Sequence, residues 1–529
     1  MDDAVDRLRA DYDAVPYESY AFPQTTPEHL AAVAHVFGLD TPAVSTARVL
    51  EIGCAAAGNL IPFAANHPHA HAVGIDLSRT QIDEGRRRTQ ALGLGNVELY
   101  RGDIAAMDLT ALGQFDYIIC HGVYSWVPEN VQEAILRSFG DLLAPEGVAY
   151  ISYNVYPGWK AKEIVRDAML LRGGDRTHPA EKLSYARGMI DFLEQVAPAD
   201  SVLARALADF RAERSHANDF YMLHEQLETV NAPCYFLDFG RRTEPYRLAY
   251  LADAEPQTMF ARNYGEKVAV PLLKECGHSQ VLVEQYLDFV ANRTFRQSLL
   301  VRGKRGPQIS YNLDRRRFDG LHFAAWLPPA DTEPRLDDSQ QEYGESPRNL
   351  FTRHPGVKAA LRALNACWPW TLSRQQLLDE VDSELDRAGV APASDQDERI
   401  NDLLEALIIR GLVRYRLEPV APGPTDSPLR LREPVRRMAE LALKDGKPYA
   451  VNVWHEGVYV SPVDSYLLPL LDGSRDRDAL VAELIRLARA DIIRFERDGR
   501  RLSGEEELRD AAAEWFDTLP HRLAQMKLC

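Results

Sequence analysis

Five short apolar segments alternate with helix-compatible stretches between residues 48 and 154, and this alternation restricts the fold more than any other feature of the chain. The segments are 48–52, 71–76, 97–101, 115–120 and 147–154. Between them lie amphipathic runs such as SRTQIDEGRRRTQALG and VQEAILRSFGDLLAPEG. Parallel strands need a crossover, and a helix supplies it, so the pattern predicts a doubly wound, Rossmann-like α/β sheet. Such sheets bind ligands beyond the carboxyl ends of their strands. The residues just past each strand therefore carry the functional reading.

The first strand runs into VLEIGCAAAGNL, residues 49–60. A dinucleotide-type GxGxxG would fall on Gly53, Ala55 and Gly58, with alanine where the backbone must approach a pyrophosphate. S-adenosylmethionine has no pyrophosphate, and its binding turn tolerates a small Cβ at Ala55 or Ala57. Glu51, ahead of the first glycine, suits the cationic ammonium of that cofactor. Cys54 and Asn59 belong to the same turn. Asp76 ends the second strand 18 positions after Gly58, where a carboxylate can accept from both ribose hydroxyls, with Leu77 beside it. Asp103 ends the third strand and can accept from the adenine amino group, while Ile104 packs on the ring. The ordered set Glu51–Gly53, Asp76, Asp103 and the fourth-strand loop predicts a class I methyltransferase-type domain that binds S-adenosylmethionine.

The loops after strands four and five, HGVYSWVP and YNVYPGW, supply the candidate acceptor groups. His121, Tyr124, Asn154 and Tyr156 are the candidate catalytic residues. Trp126 and Trp159 lie in the same loops. His121 has a second reading, holding the backbone on the adenosine side. Tyr124 is the foremost candidate for holding the acceptor. From the amino-terminal VPYESYAF, Tyr17 and Tyr20 are expected to close over the cofactor. Methyl transfer is an in-line displacement and mainly demands orientation. A lysine acceptor must also lose a proton, at about 4 kcal/mol near pH 7 for a pKa of about 10.4. A dry aromatic channel reduces that cost by disfavouring the ammonium.

Beyond residue 160 the pattern turns helical. SQVLVEQYLDFVANRTFRQSLL reads as one long amphipathic helix, followed by β-like QISYNL and GLHFAAWLP. The acidic, proline-containing stretch 328–347 reads as a linker. Residues 350–416 combine three helices with a β-ribbon in a winged-helix pattern. Its third helix displays Asp395, Asp397, Glu398, Asp402 and Glu405, which fits packing or protein contact rather than a DNA groove. VAPGPTDSP is a second linker, and YAVNVWHEGVYVSP reads as a hairpin. The expected division is 1–165 for the methyltransferase domain and 166–302 for a helical domain. A small middle segment follows at 303–347, then a winged-helix-like domain at 348–418 and a hairpin and helical domain at 430–529.

The formal net charge of −17 disfavours broad electrostatic binding to nucleic acid or anionic lipid. No apolar run is long enough to span a bilayer, and MDDAVDRLRADYD is unlike a secretory signal. Six scattered cysteines without a CxxC pair fit reduced thiols in a cytoplasmic protein. His67, His69 and His71 come without an accompanying carboxylate or cysteine and read as a turn, so no metal is expected.

These motifs resemble those of bacterial methyltransferases that carry a methyltransferase regulatory domain, whose best-characterised type is the rickettsial protein lysine methyltransferases. The likeness extends through YDAVPYESYAFPQTTPEHLA, LEIGCAAAGNLIPFA, HGVYSWVP, YNVYPGW, FYMLHEQLETVNAPCYFLDF, AYLADAEPQTMF and EQYLDFVANRTFRQSLL, roughly residues 12–302. SPVDSYLLPLLDGSRDRDAL is similar as well. The resemblance implies that 166–302 is a regulatory and dimerisation domain, that the protein is a homodimer and that protein lysines are the acceptors. The reading is an S-adenosylmethionine-dependent methyltransferase that N-methylates protein lysines. Its alternatives are a small-molecule N- or O-methyltransferase and a non-catalytic, cofactor-sensing interaction protein.

Overall fold

The computed structural model describes residues 18–174, 176, 178–214, 222–330, 335–422, 428–497 and 499–528. Tyr17 and most of the second linker lie outside the described residues. The five expected strands form as β1 (Arg48–Ile52), β2 (His71–Asp76), β3 (Val97–Arg101), β4 (Phe115–Cys120) and β5 (Leu143–Asn154). All pair in parallel in the order β3-β2-β1-β4-β5. Helices cover both faces, so β1, β2 and β4 are buried along nearly their whole length, as parallel strands require. The order reverses between β1 and β4, which opens a crevice at their carboxyl ends.

The sheet continues beyond the expected five strands. β6 (Leu248–Asp253) and β7 (Phe295–Arg302) complete a seven-stranded order β3-β2-β1-β4-β5-β7-β6, with β7 antiparallel to both its neighbours. The segment 166–302 is therefore not a separate helical domain. Its helical part is an insertion between β5 and β6, comprising Trp159–Gly173, Pro179–Val196 and Val202–Arg214 around Val165, Met169, Leu183 and Ile190. The expected long helix also divides. Helix Gln280–Val290 ends, Asn292 turns the chain at φ +46°, and FRQSLLVR runs on as β7. Short apolar runs fit either period, and partners elsewhere in the chain decide between them.

The middle segment is likewise not independent. β8 (His322–Ala324) is the central strand of a three-stranded sheet, flanked by β11 (Leu372–Ser373) and β12 (Arg414–Arg416) from the next unit. QISYNL forms no strand. The acidic stretch expected as a linker contributes β9 (Gln341–Tyr343), paired with β10 (Leu350–Thr352), and Tyr343 is 0% exposed. Three helices follow as expected: Pro355–Cys367, Arg374–Arg387 with a Ser373 capping box, and Gln396–Arg410 closed by Gly411 at φ +64°. The third buries Ile400, Leu403, Leu404, Leu407 and Ile408, while Asp402 and Glu405 pair with Arg315. The remaining chain forms the hairpin of β13 (Tyr449–Val451) and β14 (Gly457–Tyr459), then helices packed around Leu467, Leu484 and Leu523.

Candidate active site

The turn after β1 is held from three sides. Gly53 adopts φ +76°, and a Cβ there would lie 2.3 Å from Val123 in the loop after β4. The backbone N–H groups of Gly53 and Cys54 both donate to the Ile75 carbonyl, at 2.8 and 3.2 Å. Ala55 and Ala57 take left-handed conformations, φ +47° and +59°. These are the positions where glycine would be free of the roughly 1–2 kcal/mol penalty of that region. The alanines are retained because the turn is anchored. The Ala55 N–H donates to Asp76 Oδ2 at 2.9 Å, and the Ala57 N–H donates to the Cys54 carbonyl at 2.8 Å. Burial holds the Cys54 thiol well above its usual pKa, so it stays protonated and packs.

Glu51 and Asn59 form the buried floor. Asn59 Nδ2 donates to Glu51 Oε1 at 2.9 Å and to Thr25 Oγ1 at 2.9 Å. Asn59 Oδ1 accepts from the Phe22 N–H at 3.0 Å and from His455 Nε2 at 2.9 Å. Glu51 Oε2 is buried without a hydrogen-bond partner among the described residues. Burial pushes the Glu51 carboxyl up to about 8; the Asn59 hydrogen bond works against this and the Asp76 charge adds to it. A buried carboxylate oxygen with nothing to accept from suits an ammonium donor.

Asp76 closes β2, half-buried, with Oδ1 accepting the Ser78 N–H at 2.9 Å and Leu77 beside it. Asp103, past β3, accepts the Ala105 N–H at 2.9 Å, and Ile104 packs on the core below the sheet end. The segment 18–22 crosses over the turn. The Gly58 N–H donates to Ser19 Oγ at 2.7 Å, and a Cβ on Gly58 would lie 2.3 Å from the Ser19 carbonyl. Tyr20 is exposed on that segment, its ring 5.9 Å from that of Tyr449 in β13.

His121 lies at the end of β4. Its Nδ1 is 2.8 Å from the Tyr150 hydroxyl, which donates onward to Gln297 of β7 at 2.7 Å. The hydroxyl proton is committed to Gln297, so His121 Nδ1 is the protonated nitrogen and Nε2 keeps its lone pair. Burial lowers the imidazole to about 4, so it is neutral near pH 7. Its ring lies 4.3 Å from Phe22 and edge-on to Phe295, 6.2 Å away.

The other acceptor candidates lie elsewhere. Tyr124 is 1% exposed and sits edge-on to Phe239 at 5.7 Å and to Tyr153 at 6.2 Å. Its ring fills the core beneath the loop. Asn154 is buried too, its N–H donating to Ser125 Oγ and its amide to Asn231. It ties the loop after β5 to the loop after β4. Tyr156 donates to Glu163 at 2.6 Å, with Lys160 Nζ 3.7 Å above its ring. Trp126 and Trp159 pack on each other, 5.9 Å apart. His67 and His71 turn to different carboxylates, Glu28 at 2.9 Å and Glu98 at 3.5 Å. Thr25, Tyr150, Gln297 and His455 escaped the sequence reading because no local motif marks them, and within VPYESYAF it chose the tyrosines over Ser19 and Phe22.

A seven-stranded sheet of this order, with a buried glutamate, a glycine turn and aspartates past its strand ends, defines a class I methyltransferase. Family models match in three places: the "Methyltransferase domain" at 50–149, the "Predicted methyltransferase regulatory domain" at 218–302, and the "PKMT, C-terminal winged helix domain" at 434–528. The last falls downstream of the three-helix unit in which the sequence pattern suggested a winged helix. Protein RP789 of Rickettsia prowazekii is 31% identical over 509 residues, covering 94% of this chain and 90% of that protein. A second R. prowazekii protein, RP028, is 36% identical over 240 residues, 45% of this chain and 96% of its own. The structure of PKMT2 from Rickettsia typhi in complex with AdoHcy superposes with a TM-score of 0.84 at 27% identity, covering 97% of this chain and 99% of that one. The chain belongs to the bacterial family of methyltransferases that carry the methyltransferase regulatory domain.

Proposed function

We propose that this S-adenosylmethionine-dependent methyltransferase N-methylates lysine side chains of a protein substrate. The observation that carries the reading is the likeness along nearly the whole chain to a structure named PKMT2 and bound to AdoHcy. The residues present fit the cofactor. Glu51 Oε2 would receive the ammonium, Asp76 the ribose and Asp103 the adenine. Gly53 allows the turn to pack against Val123 of the loop after β4, where a Cβ would clash. When bound, the cofactor supplies an electrophilic methyl on sulfonium.

The chain's own groups would do the rest. His121, neutral and flanked by Phe22 and Phe295, would accept a hydrogen bond from the acceptor amine at Nε2. Its low basicity makes it an orienting group rather than a proton store. Water would take the lysine proton before transfer, and the aromatic surround would disfavour reprotonation. Activity should therefore rise toward alkaline pH.

We read the protein as a cytoplasmic homodimer. Among the described residues no helix is long and apolar enough to cross a membrane. The helical insertion leaves Leu171, 83% exposed, with Phe192, Val196 and Val202 on its surface, which suits a subunit contact. Incubation of host lysate with methyl-labelled cofactor, with and without enzyme, tests the function. Label on lysine Nε, mapped by mass spectrometry, is expected. Label confined to small molecules, or to oxygen, would refute the protein-lysine reading.

A further inference from the structure

The carboxy-terminal hairpin reaches the floor of the cofactor site. His455, in the turn between β13 and β14, is buried and takes φ +61°. It meets Asn59, 396 positions away in sequence, through the hydrogen bond from Nε2 to Oδ1. Burial lowers His455 to about 4, so it is a neutral imidazole, and its single N–H on Nε2 matches the lone pair of Asn59 Oδ1.

This contact completes the hydrogen bonding of Asn59. The amide has two hydrogens and two lone pairs, and four different groups use them: Glu51, Thr25, the Phe22 N–H and His455. A flip of the amide would set its NH2 against the Phe22 N–H, a fixed backbone donor. The satisfied orientation is therefore the one that donates to Glu51 Oε1 and leaves Oε2 unpartnered. The same hairpin also holds the crossing segment, since the Ala21 N–H donates to the Tyr449 hydroxyl at 3.3 Å.

We infer that His455 is a positioning residue for the amino-acid end of the cofactor, acting through Asn59 to present Glu51 Oε2 to the ammonium. The inference rests on the cofactor reading above and assigns the carboxy-terminal hairpin a place in that site.

The test uses the full chain and two ligands in titration calorimetry. S-adenosylhomocysteine carries the ammonium; 5′-methylthioadenosine shares the adenosine and lacks it. His455→Phe keeps the ring and removes the donor, with His455→Leu as a second donorless variant. His455→Gln restores an N–H at the same reach. With one buried hydrogen bond lost, His455→Phe should weaken S-adenosylhomocysteine about tenfold and change 5′-methylthioadenosine by less than about twofold. His455→Gln should recover most of the loss. Equal weakening of both ligands would reduce His455 to a structural support and overturn the inference, as would unchanged binding of both. Asp76→Ala should weaken both ligands, since each carries the ribose. A wild-type chain that binds neither ligand would instead remove the cofactor reading, and the inference with it.

Discussion

Glu51 is the residue at which folding and the proposed cofactor binding would oppose each other most directly. Its carboxyl is raised to about 8 in the fold, chiefly by burial, from an ordinary value near 4.5. The folded chain thus holds a proton there that the unfolded chain releases between about pH 4.5 and 8. Over that window this group makes stability fall as pH rises. An ammonium ligand reverses the preference by favouring the carboxylate. Binding of S-adenosylhomocysteine should therefore release a proton below pH 8, and affinity should climb from pH 6 to pH 8. Calorimetry in buffers of different ionisation enthalpy reads the proton directly, and Glu51→Gln should abolish both the release and the slope. At Tyr124 the structure separates packing from chemistry. Tyr124→Phe should leave turnover near wild type, while Tyr124→Ala should cost about 3–5 kcal/mol of stability by opening a core cavity. Urea titration beside steady-state rates distinguishes them. His121→Phe should do the reverse, lowering turnover with little effect on the melting temperature.

β7 couples the regulatory segment to the site. On one side Gln297 accepts from Tyr150 and so fixes the His121 tautomer. On the other, Arg296 is fully buried among carboxylates. It contacts Asp288 and Glu284 at 2.9 Å and Asp253 at 3.8 Å, with Arg293 as the second cation at their edge. Burial pushes Asp253 up to about 6, even beside the arginines. A buried ion cluster is a weak source of net stability, but removing one member strands the others. Arg296→Met should cost about 3–5 kcal/mol near pH 8. The loss should shrink toward pH 5, where protonation discharges the stranded carboxylates, and denaturant melts at the two pH values check it. The same cluster explains why FRQSLLVR became a strand. The sequence pattern ran this segment into one long helix, because the carboxylates that capture Arg296 come from helix Gln280–Val290 and β6.

Across the whole molecule, the sheet and the three-helix unit share one continuous core, which runs from Leu30, Val49 and Ile119 to Leu361, Leu377 and Leu404. The region from Leu431 onward has a core of its own. Deleting residues 429–529 should therefore leave a chain that still melts cooperatively but binds S-adenosylhomocysteine more weakly, having lost His455 and Tyr449. Deleting everything after residue 320 should abolish cooperative melting, because it opens the shared core. Circular dichroism melts with parallel ligand titrations decide both.

The sequence by itself determined the parallel sheet, the glycine turn with its Glu51, and the strand-end Asp76 and Asp103. Those signals are local: a period, a turn and a carboxylate a fixed distance past each strand. It also placed the helices of 355–410, where apolar spacing and the caps agree. The tertiary structure alone decided that β6 and β7 complete the sheet, that β8 joins a unit downstream, and that Tyr124 packs in the core while His121 lies between Phe22 and Phe295. It alone brought His455 onto Asn59. In each case the deciding partner lies far along the chain, and hydrogen-bond satisfaction or burial selects among local conformations that the sequence leaves nearly equal in energy.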